Sequence, residues 1–377
     1  MACKYLNWGI GIFNQVFNTT FSQFPFRLPI GISFYTFQAL SYIIDVYRRR
    51  IKAQKSLAGV SLYICLFPQL VAGPIVRYTD IEERLYDRKI TVEGTSYGIT
   101  RFLIGFSKKI LLADSLAVIA DKSFMLNSED MLSVAMAWLG AIAYSLQIYY
   151  DFSGYSDMAI GLGKMLGFHF GENFNYPYLA NSISDFWRRW HISLGNWFRD
   201  YVYIPLGGNR KGKIRTALNL MITWCATGIW HGANMTFLVW GFIYGILIIA
   251  EKMFSVPERV KSIVGKVLYH VFVVITVILC WVIFRADDVW AAGRYITVMF
   301  GADRIGNDWS FVGLYFKEYF AELFIGIIFA FPIIPMLREK GGKVWNGIMG
   351  ILLYVCFIIA ISYLIKGTYS PFIYFNF

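Results

Sequence analysis

TALNLMITWCATGIWHGANMTFLVWGFIYGILIIA, residues 216–250, is a run of 35 residues without a formal charge, bounded by Arg215 and Glu251. Drawn out as one helix it would measure ~52 Å, against ~30 Å for the hydrocarbon of a bilayer. The run therefore breaks or turns. Gly228-Ile229-Trp230-His231-Gly232-Ala233-Asn234 supplies the place, because two glycines relax the backbone while an imidazole, an indole N–H and an amide bring polar groups. Irregular backbone at membrane depth survives only inside protein or along a wet cavity, so the His231 ring is predicted to face the bundle interior rather than lipid. A histidine that only hydrogen-bonds a neighbouring helix, or sits in a surface loop, is the plainer alternative.

Working outward, the 377-residue chain is 57% hydrophobic and only 16% charged. Its apolar runs have the length of membrane helices and are separated by short charged segments, which excludes a β-barrel built on roughly ten-residue alternating strands. The predicted fold is all-α, a multi-pass transmembrane bundle with re-entrant and interfacial helices. A formal net charge of +11 would suit nucleic acid, but in a multi-pass chain Lys and Arg gather in cytoplasmic loops and meet anionic lipid, so the predicted partner is membrane lipid and no nucleic acid. Cys3, Cys65, Cys225, Cys280 and Cys356 are scattered, giving neither a disulfide framework nor a metal site. The N-terminus shows no signal-peptide pattern. Residues 1–377 read as a single integral-membrane domain.

Residues 5–26 lack charge but are dotted with Asn, Gln and Thr, which predicts an interfacial or re-entrant segment. The 28–47 run ends at Arg48-Arg49-Arg50, with Lys52 and Lys55 following and no acid among them, marking the cytoplasmic side. Residues 56–76 carry Pro68 and Gly73-Pro74 and are predicted to kink. Residues 131–150 form a cleaner span, after which Asp151 and Asp157 are predicted to cap a helix and join a buried hydrogen-bond network, with a carboxylate dyad or ion site as the alternative. Ser182 to Asp185 has capping-box spacing, and Phe186, Trp190, Leu194, Trp197 and Tyr201 recur at helical spacing. That pattern predicts one interfacial helix, its aromatics inward and Arg188, Arg189 and Arg199 toward phosphates, with Trp187 and His191 sharing a second face. Pro205 to Arg215 is a glycine-rich basic loop in which Arg210 and Lys211 are candidate donor-phosphate contacts or simply topological charges. Further spans are predicted at 267–284, 321–337 and 346–365, framed by basic residues and followed by an aromatic tail at 369–377.

The chemistry these residues permit centres on His231 beside Trp230 and Asn234, with His191 as a second imidazole. A neutral imidazole at depth can serve as general base toward a hydroxyl, worth roughly 10² to 10⁴ in rate. An acyl thioester is already activated, so alignment would supply much of the rest.

Four words of sequence, YYDFSGYSD at 149–157, DFWRRWHISL at 185–194, FRDYVYIPLGGN at 198–209 and WHGA at 230–233, resemble the membrane-bound O-acyltransferase family, nearest to its bacterial alginate O-acetyltransferase branch. LPIGISFYTFQ at 28–38, FPQLVAGPI at 67–75 and PFIYF at 371–375 extend the resemblance over nearly the whole chain. It implies a helical ring around a tunnel in the bacterial plasma membrane. The family's catalytic histidine falls on His231 and the branch's second marked histidine on His191. Trp230, Asn234, Trp187, Arg188, Asp151 and Ser153 are then tunnel or support candidates. The donor would be acetyl-coenzyme A or an acyl-carrier thioester, with no permanently bound cofactor. The partner would be an extracytoplasmic SGNH, esterase-like transferase that passes the acyl group to a polysaccharide. Relatives of this branch carry further N-terminal helices than this chain, a departure that bears on how the tunnel closes. D-alanyl transfer to teichoic acids from a carrier protein, and a transporter or flippase subunit, are the rival readings.

Overall fold

The computed structural model describes residues 2–25, 29–301 and 309–366, and all regular structure among them is helical. The bundle is organised around Val134–Met165, a 32-residue helix capped at its start by the Ser133 hydroxyl. At ~1.5 Å per residue it is ~48 Å long. Buried residues lie on all its faces, as expected of an interior post rather than a lipid-facing span.

The expected helix end near Tyr150 is not found. The helix runs unbroken through Asp151 and Asp157, so neither caps anything. The reason lies in the helix beside it, Val92–Ser107, which continues through a π-helical turn at Lys108–Ala113 into Asp114–Ser128. From there Lys109 pairs with Asp151 at 2.8 Å and with Asp114 at 2.6 Å, while Lys108 and Arg101 both reach Asp157 at 2.7 Å. Paired in this way, carboxylates tolerate a helix interior. The two helices also touch backbone to backbone. A Cβ on Gly105 would lie 2.4 Å from the Gly154 carbonyl oxygen, and one on Gly98 would lie 2.5 Å from that of Gly161. Small residues in facing rows allow such close approach.

The uncharged 216–250 run is a helical hairpin, broken where expected. Its first arm is Gly212–His231 and its second Met235–Phe254, with Gly232 extended and the Asn234 side chain accepting from Thr236 N at the turn. The arms press together at Gly228 and Gly241, where added Cβ atoms would lie 2.3 Å from Phe237 O and 2.4 Å from Trp224 O.

Three described helical segments, Met235–Phe254, Ile263–Arg285 and Gly347–Ile365, are long and apolar enough to cross a membrane. The last belongs to Ile333–Ile365, kinked at Gly342 (φ 62°), and packs Phe357 on Phe106. The 56–76 segment bends as predicted, into Leu57–Cys65 and Phe67–Leu70 with Gly73 at φ 100°. The aromatic tail at 369–377 lies outside the described residues.

The single interfacial helix expected across the 186–201 stripe is two short ones. Ile183–Arg189 and Ile192–Phe198 meet at His191, whose backbone is left-handed (φ 45°, ψ 54°). A π-helical turn, Arg199–Tyr203, follows. The stripe is buried rather than laid on a surface, and it divides: Phe186 and Trp190 join the main core, whereas Leu194, Trp197 and Tyr201 pack with Phe34, Phe37 and Trp230.

Candidate active site

Two buried imidazoles meet at one indole. His231 ends the hairpin's first arm and is 5% exposed, so its ring is in the interior as the glycine-flanked break predicts. Trp230, Trp240 and Phe284 surround it edge-on, with ring centroids at 4.9, 5.1 and 5.0 Å. Trp230 also neighbours His191, whose ring centroid is 6.2 Å away; His191 is 1% exposed and set edge-on to Phe152 at 4.5 Å. Trp230 itself stacks on Phe37 at 5.3 Å.

The helix end beneath His231 is held by a residue that sequence reasoning passed over. Lys4, on the N-terminal helix Ala2–Phe17, donates to Trp230 O at 2.8 Å, His231 O at 3.0 Å and the Ser33 hydroxyl at 3.0 Å. A helix C-terminus leaves its last carbonyls without intrahelical partners, and an ammonium group satisfies both their hydrogen bonding and the helix dipole. A lone lysine in an uncharged, Asn-dotted segment carries no sequence signal of this contact.

His191 is positioned by polar partners that also went unread. Its Nδ1 lies 3.2 Å from Asn173 Oδ1, which accepts from Ser193 N at 3.2 Å and from the Ser193 hydroxyl at 2.9 Å. Asn173 Nδ2 donates to Ser156 Oγ at 3.1 Å, and Ser193 Oγ accepts from Ile75 N at 2.9 Å. Because the helix breaks at His191, Trp187 does not share its face. Trp187 turns instead toward Trp224, Trp240 and Tyr244 at 4.8, 5.3 and 4.9 Å, and Trp240 in turn touches His231.

The remaining candidates separate. Asn234 caps the second arm and donates to Asp287 O at 2.7 Å, a role in holding the turn. Asp151 is bound to Lys109, with its chain neighbour Phe152 against His191 and Ser153 buried beyond. Arg188 is exposed and bonds back to Ser184 O, so it is not brought to the site. Arg210 and Lys211 are exposed just before the first arm. That arm's 20 residues place them ~30 Å from His231 along the helix axis.

The structure thus describes a helical membrane protein with two buried histidines that neighbour one indole. The sequence profile of MBOAT, the membrane-bound O-acyltransferase family, matches residues 49–284, and the chain belongs to that family. It is 40% identical, over 99% of its length and 81% of the relative's, to a probable alginate O-acetylase AlgI of Pseudomonas putida. Against the probable alginate O-acetylase AlgI of Pseudomonas fluorescens it is 48% identical over 75% of this chain and 55% of that one. A peptidoglycan O-acetyltransferase of Helicobacter pylori is 34% identical over 80% of this chain and 62% of its own. The chain therefore matches 55% to 81% of the length of these relatives.

Proposed function

We propose that this chain moves an acetyl group from a cytosolic thioester, acetyl-coenzyme A or an acyl carrier, across the bacterial plasma membrane for O-acetylation of an extracytoplasmic polysaccharide, with His231 as general base. The observation that carries this reading is the burial of His231 at the hairpin turn, at the opposite end of its helix from the basic loop. The loop's excess of Lys and Arg supports a cytoplasmic position for that end. A donor entering there has ~30 Å of helix to traverse, so a tunnel through the bundle interior is part of the proposal. Arg210 and Lys211 then suit the phosphates at the donor's far end rather than its thioester. At His231 the imidazole takes the proton of an attacking hydroxyl as its oxygen bonds to the thioester carbonyl; the thiolate leaves and is protonated in turn.

The relatives' names, alginate O-acetylase and peptidoglycan O-acetyltransferase, support a polysaccharide as the final acceptor, and an extracytoplasmic esterase-like transferase is the proposed partner that delivers the group. The test is His231→Ala in the native host, with total esters of wall and secreted polysaccharide measured alongside the amount of protein in the membrane. Ester content is expected to fall to the level of a strain lacking the gene. Unchanged esters with the variant protein present would overturn the proposal. In membrane vesicles, acetyl-coenzyme A or an acetylated carrier is expected to support transfer; strict dependence on a D-alanylated carrier protein would move the chain to D-alanyl transfer.

A further inference from the structure

We infer that Asn173 is a positioning residue that locks His191 in its Nδ1–H tautomer, leaving Nε2 as a bare proton acceptor. The argument begins with the amide. Ser193 N can only donate, and it points at the Asn173 side-chain atom assigned as oxygen, 3.2 Å away. The other end of the amide donates to Ser156 Oγ. The Ser193 N contact fixes which end is oxygen, removing the usual ambiguity of an asparagine, and the Ser156 hydroxyl is compatible with that assignment. The Ser193 hydroxyl accepts from Ile75 N, and its own hydrogen goes to the nearer of two acceptors, Asn173 Oδ1 at 2.9 Å rather than His191 Nδ1 at 3.5 Å. His191 Nδ1 faces that same oxygen at 3.2 Å. A bare Nδ1 would set two lone pairs against each other, so Nδ1 carries the hydrogen. Asn173 is fully buried and His191 nearly so, so the contact is shielded from bulk solvent.

His191 Nε2 is buried and has no hydrogen-bond partner among the described residues. In the neutral ring it can accept but not donate. Its catalytic consequence rests on the acyl-transfer reading: His191 would hold a hydroxyl through an O–H···Nε2 hydrogen bond, and would not stabilise an oxyanion, which requires a donor.

The chain has four histidines, few enough for the ring nitrogens to be resolved by long-range ¹H–¹⁵N spectra of the full chain in detergent, with His191→Gln identifying the His191 signals. The wild type is expected to show a protonated Nδ1 and a bare Nε2. Asn173→Leu should lose that preference while the other three rings keep their signals; Asn173→Asp, which still presents an acceptor oxygen, should retain it. In acetyl transfer from acetyl-coenzyme A, Asn173→Leu should lower kcat by about tenfold or more at unchanged donor KM, with Asn173→Asp partly restoring it. A protonated Nε2 in the wild type, an unchanged tautomer in Asn173→Leu, or a switched one in Asn173→Asp would overturn the inference. Should the leucine variant fail to fold, the wild-type and aspartate spectra decide alone. The spectra do not depend on activity: an Nδ1–H ring in a protein without acyl transfer would sink the proposed function and leave this assignment standing.

Discussion

One ammonium group holds the two carbonyls that end the helix under His231. Lys4 reaches them from a helix more than 200 positions earlier in sequence, and it has no acid among its hydrogen-bond acceptors, which are Ser33 Oγ and the two carbonyls. Its job is positional. Lys4→Met keeps the length and apolar stem but removes the donors, leaving Trp230 O and His231 O to find other partners. Hydrogen bonds to a charged donor are worth about 1.5–3 kcal/mol, so the variant should unfold at a lower temperature in detergent. Acyl transfer should fall as well, because the carbonyl of His231 itself is released. Lys4→Arg, which still donates, should recover part of both. A Lys4→Met protein with an unchanged melting temperature would show that the helix end holds itself.

Helices in this bundle meet at glycines, and there substitution has its clearest predicted cost. A Cβ on Gly154 would lie 2.7 Å from the Gly105 carbonyl oxygen, whereas one on Gly9 meets nothing within 4 Å. Gly154→Leu must push the central helix off its neighbour and with it the Lys109–Asp151 pair. Overpacking of this kind costs about 1–3 kcal/mol or more, while Gly9→Ala should be neutral or slightly stabilising. Equal melting temperatures for the two variants would rule out the close crossing. The same elements mark how far the sequence could be read. The break at Gly228 to Asn234 was legible because length forbids one helix and the local residues supply both the flexibility and the polar groups. The continuation of the central helix through Asp151 and Asp157 was not, since the partners that make it tolerable, Arg101, Lys108 and Lys109, come from another helix. The stripe from Phe186 to Tyr201 announced an inward aromatic face but neither its burial in the bundle nor its break. Nothing between Trp190 and Ile192 is a glycine or proline, and the left-handed turn at His191 coincides with contacts to Asn173 and Phe152 that only the folded chain brings together.

Across the whole molecule, arginines from segments far apart in sequence meet at one residue, Asp200. Its carboxylate accepts from Arg77 at 2.8 Å and Arg199 at 2.7 Å, and its carbonyl accepts from Arg48 at 3.2 Å. The Arg48 and Arg77 guanidinium groups lie over the Tyr201 ring. Three stretches far apart in sequence thus converge beside the basic loop that precedes the hairpin. Burial alone would raise the Asp200 pKa, but the hydrogen bonds and charges of Arg199 and Arg77 outweigh it and hold the carboxyl below the usual range. A carboxylate lowered in the folded state stabilises that state above its unfolded pKa, about 3.9, and the contribution fades as pH falls through the lower folded value. The melting temperature of the wild type should therefore exceed that of Asp200→Asn by a constant margin from neutral pH to about pH 5. The margin should narrow only in stronger acid, from about pH 4 downward, where the unfolded chain takes up the proton first and the folded carboxyl follows at its lower value. A margin already closing between pH 7 and 5 would mean that the carboxyl is not held low, and that the arginines at this end are kept together by something other than Asp200.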